Sequence, residues 1–160
     1  PRAPAPGPAA ARLAPPSAGA LAGRGTSALG FRGDDGLDEL AATGGATVWE
    51  VRDGAVTEHR LDPVADLALT PVTVEDLRGG NAAHNADVAR RFLAGEPGAV
   101  RETVLLNAAA GLVADGTLPG TAEGSLVERL RAAYDVAARP VPPGAARAAR
   151  ARGAEPAARD

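Results

Sequence analysis

The dipeptide Asp53-Gly54 constrains the fold most, because it lies between two runs that are both typical of strands. Residues 47–52 and 55–61 are rich in Val and Thr, which favour strands, and Asp-Gly between such runs is a strong signal for a tight hairpin turn. We therefore predict an antiparallel hairpin over these residues. Trp49, within the first strand, is expected to pack on the sheet.

Helical segments are predicted on both sides of this hairpin. Before it, residues 18–22 are predicted as the end of a helix stopped by Gly23, and residues 27–32 as a short strand. After it, Thr73 and Asp76 are spaced as a capping pair for a short helical turn. The longer helices are predicted at residues 82–94, 99–114 and 121–138. Together these elements predict an α/β fold in which the helices cover the strands.

The three longer helices differ in their end signals and apolar faces. Asn81 is the candidate N-cap of the first, and Thr121 that of the third. The middle helix is the most apolar and is expected to form core, with Asn107 as a buried hydrogen-bonding amide. Its apolar positions at helical spacing are Val100, Val104, Leu105, Ala108, Leu112 and Val113.

The acidic loop, residues 33–40 (Gly-Asp-Asp-Gly-Leu-Asp-Glu-Leu), carries the candidate site. Its carboxylates are close in sequence, and its glycines permit turns that bring oxygen ligands around a hard cation such as Mg²⁺. Asp38 and Glu39 are the strongest candidates for metal ligands. In an extended chain neighbouring side chains point to opposite sides, so both serve one site only if they lie in a turn. A solvated acidic turn is the alternative, and no EF-hand frame fits.

Three other features favour structural interpretations over functional ones. Thr43-Gly44-Gly45 suggests a phosphate cradle, but a strand rather than a helix follows it, so a turn is the better interpretation. His59 lies within a strand and is expected to be exposed. His84 falls on the first turn of a helix, where a surface position is favoured over a ligand role.

Composition and charge exclude several functional classes. With 160 residues the chain suits one domain, and with no Cys it has no disulfide, thiolate nucleophile or zinc-thiolate site. No apolar run is long enough for a membrane span and no signal peptide opens the chain, so we expect a cytoplasmic protein without a membrane partner. Residues 31–138 hold nine Arg against eighteen acidic residues, which argues against nucleic acid as a partner.

Residues 21–138 resemble the C-terminal part of bacterial anthranilate phosphoribosyltransferase. The resemblance is carried by four blocks in the family order: FRGDDGLDEL, TVWEVRDGAVTEHRLDP, EDLRGGNAAHNA and LAGEPGAVRETVLLNAAAGLVA. It implies the larger α/β domain of a fold of the nucleoside phosphorylase and phosphoribosyltransferase type. It also implies that Asp38 and Glu39 bind the Mg²⁺ that carries the diphosphate of phosphoribosyl diphosphate.

The function that the resemblance implies is transfer of a 5-phosphoribosyl group from phosphoribosyl diphosphate to anthranilate, with release of diphosphate, in tryptophan biosynthesis. No residue of this chain is assigned as catalytic. One alternative is a relative of pyrimidine-nucleoside phosphorylase, and another is a non-catalytic remnant that acts as a binding module. A homodimer is expected only for the full-length enzyme.

Three regions are predicted along the chain. Residues 1–20 are expected to be a disordered or truncated lead-in, residues 21–138 a partial phosphoribosyltransferase domain, and residues 139–160 a basic low-complexity tail. A shifted reading frame or a divergent end would explain the composition of the tail. The family's glycine-rich phosphate loop is expected in an earlier region, so the chain alone is expected to be inactive.

Overall fold

Three strands form one antiparallel sheet in the computed structural model, which describes residues 17–140. The strands are β1 (Ala28–Gly33), β2 (Ala46–Arg52) and β3 (Ala55–Leu61), in the order β1-β2-β3. Asp53 at φ 50° and Gly54 at φ 76° close the hairpin in the left-handed region that a two-residue turn of this kind requires. The predicted hairpin is confirmed.

Helices precede and follow the three strands along the chain. They are α1 (residues 17–23), α2 (Pro63–Leu67), a 3-10 turn (Glu75–Leu77), α3 (Ala82–Leu93), α4 (Ala99–Asp115) and α5 (Leu126–Ala137). The helix end predicted at residues 18–22 is confirmed, whereas α2 was not predicted. Asp62 starts α2, since its carboxylate accepts hydrogen bonds from the backbone N–H of Val64 and Ala65. No described helix is long and apolar enough to cross a membrane.

The core lies where β2 and the end of β3 meet α4 and α5. Leu106 on α4 and Leu130 on α5 have no exposed surface, and Val48 and Leu61 of the sheet are each 1% exposed. Burying each of these side chains stabilises the fold by about 1.5–3 kcal/mol. Leu40, which ends the acidic loop, belongs to the same cluster and is 1% exposed. The loop is therefore anchored in the core at its C-terminal end.

The predicted start of the third long helix, at Thr121, is wrong. Thr121 is fully buried and its hydroxyl donates to the carbonyl oxygen of Leu118 at 2.7 Å. Ser125 is the N-cap instead, because it forms a reciprocal capping box with Glu128. The helix consequently begins at Leu126, five residues later than predicted.

Two predictions about the packing of the longer helices also need correction. No residue of α3 is buried, and Leu93 is 50% exposed, so this helix does not cover the sheet as predicted. On α4 the buried stripe is rotated from the predicted one, which leaves Val104 40% exposed. The buried residues of α4 are Leu105, Leu106, Ala109, Ala110 and Val113. The rotation follows from packing, because Leu106, Ala109, Ala110 and Val113 form one core cluster with residues of the sheet and of α5.

A buried ion pair joins the sheet to α5. The guanidinium of Arg129 donates from its two terminal nitrogens to Glu50 Oε1 at 2.6 Å and Oε2 at 2.8 Å. Arg129 is 4% exposed and Glu50 8%. His59 Nε2 lies 3.1 Å from Glu50 Oε2, so the histidine predicted to be exposed is half-buried beside this pair. The bidentate geometry fixes how α5 lies on β2.

Acid should weaken the contribution of this pair to stability. The hydrogen bonds from Arg129 hold the pKa of Glu50 below its usual value, although burial acts in the opposite direction. A carboxylate with a depressed folded pKa stabilises the fold above its unfolded pKa, and this contribution is lost as the pH falls through the folded value. We therefore expect the stability difference between wild type and Glu50→Gln to be largest near neutral pH and to shrink below about pH 4.5. Urea unfolding of both proteins across this range checks it, and a difference that stayed constant with pH would contradict it.

The predicted ends of the chain fall mostly outside the described residues. Residues 17–20, at the end of the predicted lead-in, are helical and belong to α1. The rest of the lead-in and residues 141–160 of the predicted basic tail lie outside the described part of the chain.

Candidate metal-binding loop

The acidic loop leaves β1 through a tight turn. The N–H of Gly36 donates to the carbonyl oxygen of Gly33 at 3.1 Å, and the N–H of Gly33 donates to that of Leu37 at 3.0 Å. Gly36 has φ 96°, a conformation that a residue with a Cβ rarely adopts. The loop therefore turns at one of its glycines, as the sequence suggested, and Asp38 and Glu39 follow in a bend.

Two of the four carboxylates are used to build the loop. Arg60 on β3 donates to Asp34 Oδ1 at 3.0 Å and Oδ2 at 2.6 Å, and these hydrogen bonds hold the pKa of Asp34 below its usual value. Asp35 accepts from the N–H of Leu37 at 2.8 Å and from the hydroxyl of Thr43. These carboxylates already have protein donors, so they are poorly placed to serve as metal ligands.

Asp38 and Glu39 form an exposed carboxylate pair at the far side of the turn. A hydrogen bond between the two carboxyl groups raises the pKa of Glu39 above its usual value, and burial and the charge of Asp38 act in the same direction. Asp38 and Glu39 lie in a bend of the backbone and not in an extended segment, so their neighbouring side chains need not point to opposite sides. Two such carboxylates repel each other when both are ionised, and a bound cation would relieve that repulsion.

The oxygen donors at this pair fit Mg²⁺ better than a cation that needs a complete protein cage. Mg²⁺ is commonly held by one or two carboxylates together with water and substrate phosphates. Among residues 17–140 no group of three or more His, Asp or Glu side chains is placed to hold a metal ion. The pair therefore suits Mg²⁺ that arrives with a phosphate-bearing ligand.

A side-chain amide fastens the backbone immediately after the pair. Asn107 on α4 accepts from the N–H of Leu40 at 3.1 Å and donates to its carbonyl oxygen at 2.7 Å. The sequence predicted a buried hydrogen-bonding amide at Asn107; its hydrogen bonding is confirmed, whereas the residue is only partly buried. Its partner was not predicted, because Leu40 lies 67 positions away and no local pattern links the two residues.

A cleft of about 580 Å³ opens beside Glu39. Its walls are mainly aliphatic and come from the segment around the 3-10 turn and from α4, with Val74 and Val104 among the exposed apolar residues of the protein. Arg78 and Asn107 add polar groups to the lining. The carboxylate pair consequently borders a concave surface.

The remaining sequence candidates have structural roles. Residues 42–43 form a turn and β2 follows at Ala46, so the interpretation of Thr43-Gly44-Gly45 as a turn is confirmed. A Cβ on Gly45 would lie 2.7 Å from Arg60 Nη2, so this glycine leaves room for the Asp34–Arg60 pair. His84 is exposed at the start of α3, as predicted. Asn81 caps that helix by accepting from the N–H of His84 at 3.0 Å.

Comparison with known proteins shows which family the chain belongs to. The sequence profile described as "Glycosyl transferase family, a/b domain" matches residues 7–135. The chain belongs to this family. Its combination of a sheet with helices agrees with an α/β domain, so the predicted fold class and the resemblance to anthranilate phosphoribosyltransferases are both confirmed.

Curated members of this glycosyl transferase family resemble the chain closely over part of their length. The anthranilate phosphoribosyltransferase of Streptomyces griseus is 59% identical over 143 residues, which is 89% of this chain and 39% of the relative. That of Streptomyces avermitilis is 56% identical over 138 residues, or 86% of this chain and 38% of the relative. The chain therefore spans about two fifths of the length of these relatives.

Solved structures of the family show the same architecture. Anthranilate phosphoribosyltransferase from Thermus thermophilus matches with a TM-score of 0.63 at 36% identity, covering 79% of this chain and 36% of that one. The enzyme from Saccharomyces cerevisiae, in complex with PRPP and Mg, matches with a TM-score of 0.59 and equal coverage. Its 21% identity supports a common fold and no more.

Proposed function

We propose that this chain supplies the Mg²⁺-diphosphate-binding part of an enzyme that transfers a 5-phosphoribosyl group from phosphoribosyl diphosphate to anthranilate in tryptophan biosynthesis. The observation that carries the proposal is the 59% identity to the Streptomyces griseus anthranilate phosphoribosyltransferase over 89% of the chain. The exposed Asp38–Glu39 pair supports it, since its donors suit a cation that carries phosphate.

The reaction explains why a carboxylate pair would be needed. The bond between C1 of the ribose and the diphosphate oxygen breaks, the amine nitrogen bonds to that carbon, and the amine loses a proton. Diphosphate gains negative charge as it leaves. Mg²⁺ bound at this site would neutralise part of that charge. The role of this chain is then to hold and orient the diphosphate of the substrate. The reaction requires no nucleophilic side chain from it.

The loop that would hold the diphosphate is itself anchored at both ends. Arg60 fixes the start of the loop through Asp34, and Asn107 fixes its end through Leu40. Between these anchors the carboxylates of Asp38 and Glu39 are free of basic partners among the described ion pairs. Holding a reactant in a defined place is a large part of catalysis in a two-substrate transfer.

We expect the chain to bind Mg²⁺ only when phosphoribosyl diphosphate is also present. The reason is that Mg²⁺ keeps most of its water and prefers substrate phosphates to protein ligands alone. Titration of Mg²⁺ into the chain with and without phosphoribosyl diphosphate, followed by the NMR amide shifts of Asp38 and Glu39, measures this. Shifts are expected only with both components, and Asp38→Asn should abolish them.

Asp53→Asn is the matched control for this titration. Asp53 lies on the hairpin turn with its side chain 95% exposed, and asparagine tolerates the same left-handed backbone. This variant should respond as wild type does. No amide shift in wild type with both components present would count against the metal-binding proposal. So would an equal response of Asp38→Asn.

A further inference from the structure

Asn107 makes an unusual pair of contacts with the backbone of a single residue. Its Oδ1 accepts from the N–H of Leu40, and its Nδ2 donates to the carbonyl oxygen of the same residue, as a neighbouring strand would do. Nδ2 also donates to the carbonyl oxygen of Thr103 at 2.8 Å, one turn earlier on α4. The amide is thereby held by its own helix while it holds the loop.

The contact between Asn107 and Leu40 lies directly next to the carboxylate pair in the sequence. The N–H that Asn107 binds belongs to the peptide group joining Glu39 to Leu40. Fixing that peptide restricts rotation of the backbone at Glu39, and therefore the direction in which its side chain leaves the chain. Leu40 is itself 1% exposed, so its side chain anchors the other side of the same peptide.

No other described side chain hydrogen-bonds to the backbone of Leu40. The hydrogen bonds at the start of the loop involve Gly33 to Leu37 and do not reach Glu39. Without Asn107, the N–H and carbonyl oxygen of Leu40 would lose their partners in a largely buried position, which favours a different path for this peptide. The backbone on the C-terminal side of Glu39 is therefore held by an amide 67 positions away in sequence from Leu40.

We propose that Asn107 is a positioning residue for the Asp38–Glu39 pair, acting through the backbone of Leu40. This inference rests on the proposed function, because the pair must bind Mg²⁺ with a diphosphate for its position to matter. Asn107 is not assigned contact with the reacting atoms. Groups that orient metal ligands typically change metal affinity by about 10–100-fold when they are removed.

Two substitutions separate this role from a structural one. Asn107→Leu removes both hydrogen bonds to Leu40 while keeping a side chain of similar size. Asn107→Ser is too short to reach Leu40, yet its hydroxyl can still bond within α4 to the carbonyl oxygen of Thr103. The control is Glu102→Leu, since Glu102 on the same helix accepts from the N–H and hydroxyl of Thr70 and does not touch the acidic loop.

The test is the Mg²⁺ titration at fixed phosphoribosyl diphosphate, with amide hydrogen exchange of Leu40 measured on the same samples. Both Asn107 variants should need about tenfold more Mg²⁺ for half of the response. Exchange of the Leu40 amide should accelerate, while the amides of the α4 core stay protected. Glu102→Leu should match wild type in both measurements. If Asn107→Leu fails to fold, the Asn107→Ser variant decides.

The possible failures are distinguishable. A wild-type chain that shows no response to Mg²⁺ with phosphoribosyl diphosphate overturns the proposed function, and the role of Asn107 with it. A normal wild-type response that is matched by both Asn107 variants overturns the positioning role alone. Unchanged exchange at Leu40 in Asn107→Ser also overturns it, because the proposed link runs through that amide.

Discussion

Replacing Arg129 by Met is expected to lower the free energy of unfolding by about 3–5 kcal/mol, the cost of removing one partner of a buried ion pair. The substitution leaves the carboxylate of Glu50 in a position that is 8% exposed, without its bidentate partner. His59 at 3.1 Å and Arg52 at 3.9 Å offset only part of the loss. Urea unfolding, followed by the fluorescence of Trp49, the one tryptophan in the chain, measures the change.

A double variant provides the control for this experiment. Glu50→Leu with Arg129→Met removes both charges, and such replacements are often neutral because two desolvation costs disappear with the attraction. The Nε of Arg129 has no hydrogen-bond partner among the described residues, so the native pair is not fully compensated. We expect the double variant to be more stable than Arg129→Met alone. Arg131→Met, at an exposed position on the same helix, should have a much smaller effect.

A loss below about 1 kcal/mol for Arg129→Met would contradict this account, because exposed ion pairs already give values of that size. A double variant as unstable as the single one would also contradict it. In that case the loss would come from packing of the long arginine side chain and not from the unpaired carboxylate.

The strands and the hairpin were predictable because their signals are local. Asp53 and Gly54 adopt positive φ, and only a few residue types do so readily, so the dipeptide nearly dictates the turn. The strand bounds then follow from the runs on either side. Residues 55–61 were predicted as a strand and β3 is Ala55–Leu61.

The start of α5 shows how two local signals can compete. Thr121 and Ser125 are both acceptable caps, and Ser125 has Glu128 three positions later, a capping-box spacing legible in the sequence. The burial of Thr121 explains why Ser125 is the N-cap. The hydroxyl of Thr121 is satisfied by Leu118 inside a loop, so no helix is needed to bond it.

Contacts between residues far apart in sequence could not be predicted from local patterns. Glu50 and Arg129 are 79 positions apart, and neither residue carries a local pattern that distinguishes a buried pair from two exposed charges. The same holds for Asn107 and Leu40. In the acidic loop, by contrast, the sequence favoured Asp38 and Glu39 over the other carboxylates, but it did not show what Asp34 and Asp35 do instead. The structure shows that they accept hydrogen bonds from Arg60 and Thr43, respectively.

Asp38→Asn is expected to reduce turnover by about 10²-fold in an enzyme that contains this chain, the scale for losing one electrostatic element of an active site. The test is a chimera in which residues of this chain replace the matching 143-residue segment of the Streptomyces griseus enzyme. Anthranilate consumption, followed by fluorescence with phosphoribosyl diphosphate and Mg²⁺, reports the rate. The chain alone is expected to show no turnover, because both substrates must be held together for transfer.

Three further variants of the chimera make the result specific to the pair. Glu39→Gln should resemble Asp38→Asn, and the double variant should cost little more than either, since residues that act as a unit are not additive. Asp53→Asn should leave the rate unchanged, because its carboxylate lies on the hairpin turn away from the loop. Since the carboxylates are proposed to act on the leaving diphosphate, the loss should fall mainly on kcat and should vary with Mg²⁺ concentration. A chimera whose Asp38→Asn variant keeps wild-type kcat at every Mg²⁺ concentration would show that the pair is a solvated acidic turn, the alternative open from the sequence.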